Sequence, residues 1–177
     1  MKFNLIDSIL ELSDTRIVAI KQVSLAEEYL ADHFPTFPVL PGVMMLEALT
    51  QAAAWLLHRR NNFSCSMAIL KEAKNVKYGQ FVAPGDALKV EVELLKPTAI
   101  GAPGGAPGGA TFKATGTVRT ETALTARIEL AYFNLADKHP HLASVDEKLR
   151  EHNRLRWSLL QTRVVPTTQI PSKPLSL

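Results

Sequence analysis

Residues 43–57 read VMMLEALTQAAAWLL, a run of good helix formers that is apolar nearly all the way round. A helix with so little polar face is one wrapped by other structure, and that requirement governs everything else the chain can do. Only Glu47, Thr50 and Gln51 interrupt the apolar surface. The run closes on His58, Arg59 and Arg60, cations suited to the negative end of the helix dipole, and then on Asn61 and Asn62. The apolar stretch 48–57 is far shorter than the roughly 20 residues a bilayer span needs, so no transmembrane helix is expected.

The wrapping has to come from strands. Residues 15–23 are rich in β-branched side chains and read as a first strand. Residues 63–70 and 75–82 are further candidates. Over 87–95, Leu88, Val90, Val92 and Leu94 alternate with Lys89, Glu91 and Glu93 at a period of two. Phe112, Ala114, Gly116 and Val118 repeat the alternation, as do Leu124, Ala126, Ile128 and Leu130, and Ala83-Pro84-Gly85-Asp86 supplies a turn. One buried helix against an antiparallel sheet of five or six strands, an α+β arrangement, is the simplest packing, and 177 residues suit a single core.

Between these elements, Ser24 and Glu27 form a capping box that predicts a short helix over 25–31. Prolines 35, 38 and 41 forbid helix over 32–41 and make that segment a stiff, extended loop that positions what it carries. The low-complexity insert 97–110, PTAIGAPGGAPGGA, reads as a mobile hairpin connection; it lacks the Lys-Ser/Thr ending of a phosphate-binding loop. Ser144 and Glu147 form a second capping box, ahead of a helix through about 160, and the rest, with prolines 166, 171 and 174, reads as a loosely held tail. The expected organisation is a domain over 1–136 and a C-terminal extension over 137–177.

Charge narrows the partners. Of the net +3, all sits in residues 137–177, which hold seven basic and four acidic side chains, while 1–136 are balanced at thirteen each. That excess is well below the basic stripe of a nucleic-acid binder, so no nucleic acid and no membrane partner is expected. Residues 1–7 lack the pattern of a secretory signal and Cys65 stands alone, so a reducing cytoplasm is the expected compartment.

The chemistry concentrates in DHFPTFPVLPG, residues 32–42, running into the apolar helix. Glu47 lies in the second turn of that helix with Val43, Met44, Thr50 and Gln51 as its helical neighbours, so no cation is within local reach. Such a carboxyl must find a tertiary partner, stay protonated, or face a cavity. Gln51, one turn on, reads as its support. His33 sits at the edge of the proline loop and carries the side chain whose ordinary pKa is nearest neutrality. By contrast His58, His139, His141 and His152 read as surface residues. Pro41-Gly42 places unpaired N–H groups at the positive end of the helix, and Gly42, lacking a side chain, lets a carbonyl approach. A base, an acid and a carbonyl-polarising amide are the parts needed to remove a proton beside a carbonyl and expel a leaving group. Neither paired His nor paired Cys stands at ligand spacing, so no metal and no cofactor is expected.

The stretch HFPTFPVLPGVMMLEALTQAAA resembles the signature of the β-hydroxyacyl-acyl carrier protein dehydratases of bacterial fatty acid synthesis, the FabZ/FabA type, whose usual form is HFPGxPxxPGxxxxEAxxQ. KYGQFVAPGDALKVEVELLK is similar to the downstream PVVPGD region of the same family, and the likeness runs over about 15–134. It implies a hot-dog fold, a sheet wrapped around the central helix, and a homodimer, with assembly into larger oligomers open, in which strands of two copies join into one sheet. It implies catalytic roles for His33, Glu47 and Gly42: the histidine of one subunit faces the acidic residue of the other, and the glycine N–H holds the thioester carbonyl. Glu47 matches the dehydratase-only branch; the isomerising branch carries Asp there. Val39, Leu40, Pro41, Val43, Met44 and Gln51 are the candidate substrate-binding positions, the apolar ones either as lining of an acyl tunnel or as ordinary core.

The implied reaction is reversible dehydration of a 3-hydroxyacyl thioester, on acyl carrier protein or CoA, to the trans-2-enoyl thioester. The chain departs from the pattern at Thr36, where the family has Gly, and at Gly79-Gln80-Phe81, where Lys-Arg-Pro is common. Those departures keep open a non-catalytic acyl-thioester-binding subunit or partner; a hot-dog thioesterase is a third reading, which the HFP-loop histidine disfavours.

Overall fold

The computed structural model describes residues 3–98 and 108–161. Six strands form one antiparallel sheet: β1 (Ser8–Leu12), β2 (Arg16–Gln22), β3 (Met67–Tyr78), β4 (Ala87–Thr98), β5 (Gly108–Val118) and β6 (Glu121–Phe133), in the order β1-β2-β4-β5-β6-β3. The helix α1 (Gly42–Arg60) packs against β2 to β6, and α2 (Ala143–Gln161) follows the sheet. The alternating apolar positions of β4, β5 and β6 are the buried ones, with Val90, Val92, Phe112, Leu124 and Ile128 all at 0% exposure, so the period-two pattern faces the helix. Ala48, Leu49, Ala52 and Ala53 meet them from α1 and are equally inaccessible. The wrapped helix is thus where its composition demanded it.

Several local expectations differ from the structure. Residues 25–31 are not an α-helix: Glu27 does reach back to the Ser24 amide at 3.3 Å, yet only a 3-10 turn at Glu28–Leu30 follows. The carboxyl of Glu27 is taken instead by Lys21 at 2.7 Å and by the Tyr29 hydroxyl, which tie the segment flat onto β2. An additional strand, β1, precedes the first expected one. The separate candidates 63–70 and 75–82 are replaced by the single long β3, which is bent by register shifts between Leu70 and Glu72 and between Lys74 and Lys77. The second capping box is also displaced, since α2 begins at Ala143 and places Ser144 inside its first turn. The Ala83–Asp86 turn forms as expected, with Gly85 at φ +91° and the Asp86 side chain accepting from the Ala83 amide at 3.1 Å. The insert joins β4 to β5 as a hairpin connection, but its residues 99–107, and the tail 162–177, lie outside the described residues.

Two joints fix α2. Asp146, only 1% exposed, accepts from the Leu135 and Ala136 amides at 2.9 and 2.8 Å and from the Ser66 hydroxyl. Burial works against its charge, but those three donors outweigh it and hold the carboxyl below its usual range. Further along, Trp157 packs 5.9 Å from Trp55 of α1, with the Arg59 guanidinium over its ring. His58, expected at the surface, is buried beneath this contact: it lies among Trp55, Phe63 and Tyr132, with Nδ1 3.2 Å from the Tyr132 hydroxyl. His139, His141 and His152 are exposed.

Candidate active site

The loop ahead of α1 is a rigid fixture. Phe34 and Phe37 exchange backbone hydrogen bonds of 3.2 and 3.0 Å around Pro35 and Thr36, the Val39 amide donates to the His33 carbonyl at 3.0 Å, and the Leu40 amide donates to Val82 at 2.8 Å. Thr36 does not adopt a positive φ, so the loop holds this conformation without the glycine that the motif usually has there.

His33 is half-buried, stacked on Phe34 at 4.3 Å, with Nδ1 3.0 Å from the Val39 carbonyl oxygen. A carbonyl can only accept, so in the neutral ring Nδ1 carries the proton and Nε2 keeps its lone pair free. The loop thereby presents Nε2 as a base, which is the tautomer a general base requires.

Gly42 opens α1, and the first amides of a helix have no carbonyl one turn back to bond to. A Cβ at this position would lie 2.8 Å from Cε1 and 3.1 Å from Cδ1 of Tyr78, so with the ring where it stands only glycine fits. Tyr78, at the end of β3, is a member of this site that sequence patterning did not single out; a 36-residue separation in sequence leaves no local signal of the contact. The substituted Gly79 is likewise needed, because a Cβ there would sit 2.3 Å from the Thr122 carbonyl oxygen, and its amide extends the β3–β6 pairing to Ala123 at 2.9 Å.

Glu47 is half-buried and finds a partner: Gln51 Nε2 donates to its Oε1 at 2.9 Å. Gln51 is itself held from outside the helix, by the Leu5 amide on its Oε1 at 2.9 Å and by the Phe3 carbonyl, which accepts from Nε2 at 3.2 Å. Both hydrogens of Gln51 Nε2 are thus taken, one by Glu47 Oε1 and one by the Phe3 carbonyl, and Oε2 of Glu47 is left for other company. Among the other positions, Val39, Leu40, Pro41 and Met44 are packed in the interior of the chain while Val43 is 72% exposed beside Gly42. Phe34, Phe37, Tyr78 and Phe81 are also largely exposed, and Phe37 meets Phe81 edge-on at 5.6 Å. An apolar surface of this kind marks a place that something covers. Among the described residues, no group of three His, Cys, Asp or Glu side chains could hold a metal ion.

The family model of the FabA-like domain matches residues 1–126, well over half the chain. The chain belongs to the FabA-like family. Within it, the chain is 37% identical over 94 residues to the 3-hydroxyacyl-acyl-carrier-protein dehydratase FabZ of Clostridium perfringens, a match covering 53% of this chain and 68% of the relative. It is 41% identical over 95 residues to the FabZ of Solibacter usitatus, covering 53% of this chain and 59% of that one. Among solved structures, a chain of the dehydratase heterocomplex ApeI:P from Xenorhabdus doucetiae superposes with a TM-score of 0.60 at 16% identity, over 80% of this chain and 90% of that one. The HP0420 homologue from Helicobacter felis follows at 0.54 and 10%, over 75% and 82%. These likenesses establish the hot-dog fold, the sheet curled about α1.

Proposed function

We propose that this FabA-like protein is a 3-hydroxyacyl thioester dehydratase of fatty acid or related acyl-chain synthesis, acting on substrates carried by acyl carrier protein. The observation that carries the reading is the arrangement around the start of α1: a histidine with its Nε2 freed by the Val39 carbonyl, a bare helix-start amide at Gly42, and a carboxyl group steadied by Gln51. In the proposed reaction His33 Nε2 takes the proton from C2 while the Gly42 amide holds the thioester oxygen as it gains charge. The C3–O bond breaks, its electron pair leaves with the hydroxyl, and Glu47 supplies the proton that makes it water. The pair of electrons freed at C2 closes the trans double bond. Return of the proton from His33 to Glu47 through solvent resets the site.

The reading needs two copies. β3 is one of the two outer strands of the sheet, the one whose end lies against Gly42, and its Ile69, Leu70 and Tyr78 are exposed, the surface through which a second copy would extend the sheet. In that homodimer His33 of one subunit serves Glu47 of the other, and the exposed Val43, Phe34 and Phe81 are covered. Residues 1–136 form the catalytic hot-dog domain and 137–177 the extension. No helix of the described residues is long and apolar enough to cross a membrane, and a reducing cytoplasm suits the single buried thiol of Cys65.

The experiment is to follow the ultraviolet absorbance of the conjugated enoyl thioester with 3-hydroxyacyl substrates on carrier protein and on CoA in parallel. Formation of the enoyl product on the carrier supports the proposal; an inert protein across short and medium chains on both carriers overturns it, and release of free thiol instead identifies a thioesterase.

A further inference from the structure

We infer that the C-terminal helix is part of the active-site support, with Arg156 and Asn4 acting as positioning residues for Glu47 through a four-member relay. The inference rests on the dehydratase reading for Glu47's role but not for the relay itself.

The relay is continuous. Arg156 of α2 stacks its guanidinium over the Trp55 ring of α1 at 5.7 Å and donates through Nη2 to the Asn4 side-chain oxygen. The backbone on either side of Asn4 then grips Gln51: Leu5 donates to Oε1 at 2.9 Å and the Phe3 carbonyl accepts from Nε2 at 3.2 Å. Gln51 passes the constraint to Glu47 at 2.9 Å. A primary amide can turn by half a revolution and swap its oxygen for its nitrogen; the two backbone partners forbid that here, because the Leu5 N–H needs an oxygen and the Phe3 carbonyl needs an N–H. Gln51 can therefore only donate to Glu47.

What fixes residues 3–5 decides whether Gln51 is fixed, and those residues precede β1 with no ladder of their own. Two things hold them. Leu5 and Ile6 are buried in the core, and α2 runs alongside, so that Phe3, Asn4 and Ile6 line one cleft together with Leu155, Arg156 and Leu159. The charge on Arg156 strengthens its hydrogen bond to Asn4, and Trp157 and Leu160 bury the neighbouring face of the helix. The extension is thus a clasp over the N-terminal segment, and through it over the carboxyl group.

The test uses the full chain with Asn4→Ala, Arg156→Ala and Arg156→Lys. Asn4 is exposed, so its truncation leaves the core and the α2 packing whole even if loss of Arg156 loosens the helix. The expected result is that Asn4→Ala and Arg156→Ala speed hydrogen exchange at the Leu5 amide about tenfold and move the Gln51 side-chain amide and Glu47 carboxyl resonances. They should also lower kcat about tenfold with KM within twofold of the parent and displace one limb of the pH profile of kcat, while Arg156→Lys recovers most of each effect. Unchanged Leu5 exchange and unchanged Gln51 and Glu47 resonances overturn the relay, as does a loosened Leu5 amide with kcat unaltered. If the parent protein turns over no 3-hydroxyacyl thioester, the dehydratase reading fails and the relay is judged on exchange and resonances alone.

Discussion

The Tyr78 ring occupies the space that any side chain on residue 42 would need, with Cε1 2.8 Å from where a Cβ would stand. Substitution Gly42→Ala therefore forces either the ring or the first turn of α1 to move, and where the turn gives way the helix-start amide moves with it. Loss of an oxyanion donor, the role proposed for this amide, costs about 10²–10³-fold in kcat. The expected outcome is a fall of about 10²-fold with the far-ultraviolet circular dichroism of the parent, and partial recovery in Gly42→Ala/Tyr78→Ala, where the obstruction is gone. Recovery is checked by turnover of the double variant against each single one.

Replacement of His33 by Ala removes the group proposed as general base, for which about 10²–10⁴-fold in kcat is typical. The contact with the Val39 carbonyl makes a sharper statement: nitrogen-15 resonances of the neutral imidazole should show Nδ1 protonated and Nε2 bare. The opposite tautomer would be incompatible with the geometry of the loop.

His58 gives the fold a pH dependence. Burial among Trp55, Phe63 and Tyr132 pushes its imidazole down to about 4. An unfolded chain protonates this residue below about pH 6.5 while the folded one resists, so between those limits the unfolded state binds the extra proton and stability falls as pH falls. The loss at the acid end of the window is on the order of 3 kcal/mol. Urea midpoints measured at pH 7 and pH 4.5 should separate widely for the parent protein and much less for His58→Gln.

Asp146→Ala should loosen α2 without touching the reacting groups. It strands the buried Ser66 hydroxyl and two half-buried amides, of Leu135 and Ala136, and a buried group left unsatisfied costs about 1–3 kcal/mol before any relaxation or water entry, the half-buried ones less. A lower urea midpoint, with increased Trp157 fluorescence quenching by iodide, is the expected result.

How much of this was legible in the sequence depended on how local the cause was. The wrapped helix, the period-two strands β4, β5 and β6, and the HFP…PG…E motif could be read directly, because apolar spacing and proline positions act within a few residues. β3 could not be delimited: as a bulged outer strand with most side chains in water it shows no alternation, so its polar middle looked like a break. His58 escapes a local reading for a related reason, since a helix-end cation is usually wet, whereas Tyr132 of β6 and Asn153 of α2, which meet this ring, lie 74 and 95 residues further along the chain. The support for Gln51 from residues 3–5 and the ring over Gly42 are likewise long-range contacts with no local signature.

In the proposed dimer each site is built from His33 of one subunit and Glu47 of another. Unfolding His33→Ala and Glu47→Gln proteins together and refolding the equal mixture tests it, because in a mixed dimer one of the two sites regains both native side chains. Statistical pairing makes half the dimers mixed, so the account predicts about a quarter of the parental dehydration rate from two proteins that are each nearly inert alone. A mixture as inactive as its components, despite mixed dimers shown by native mass spectrometry, would contradict it.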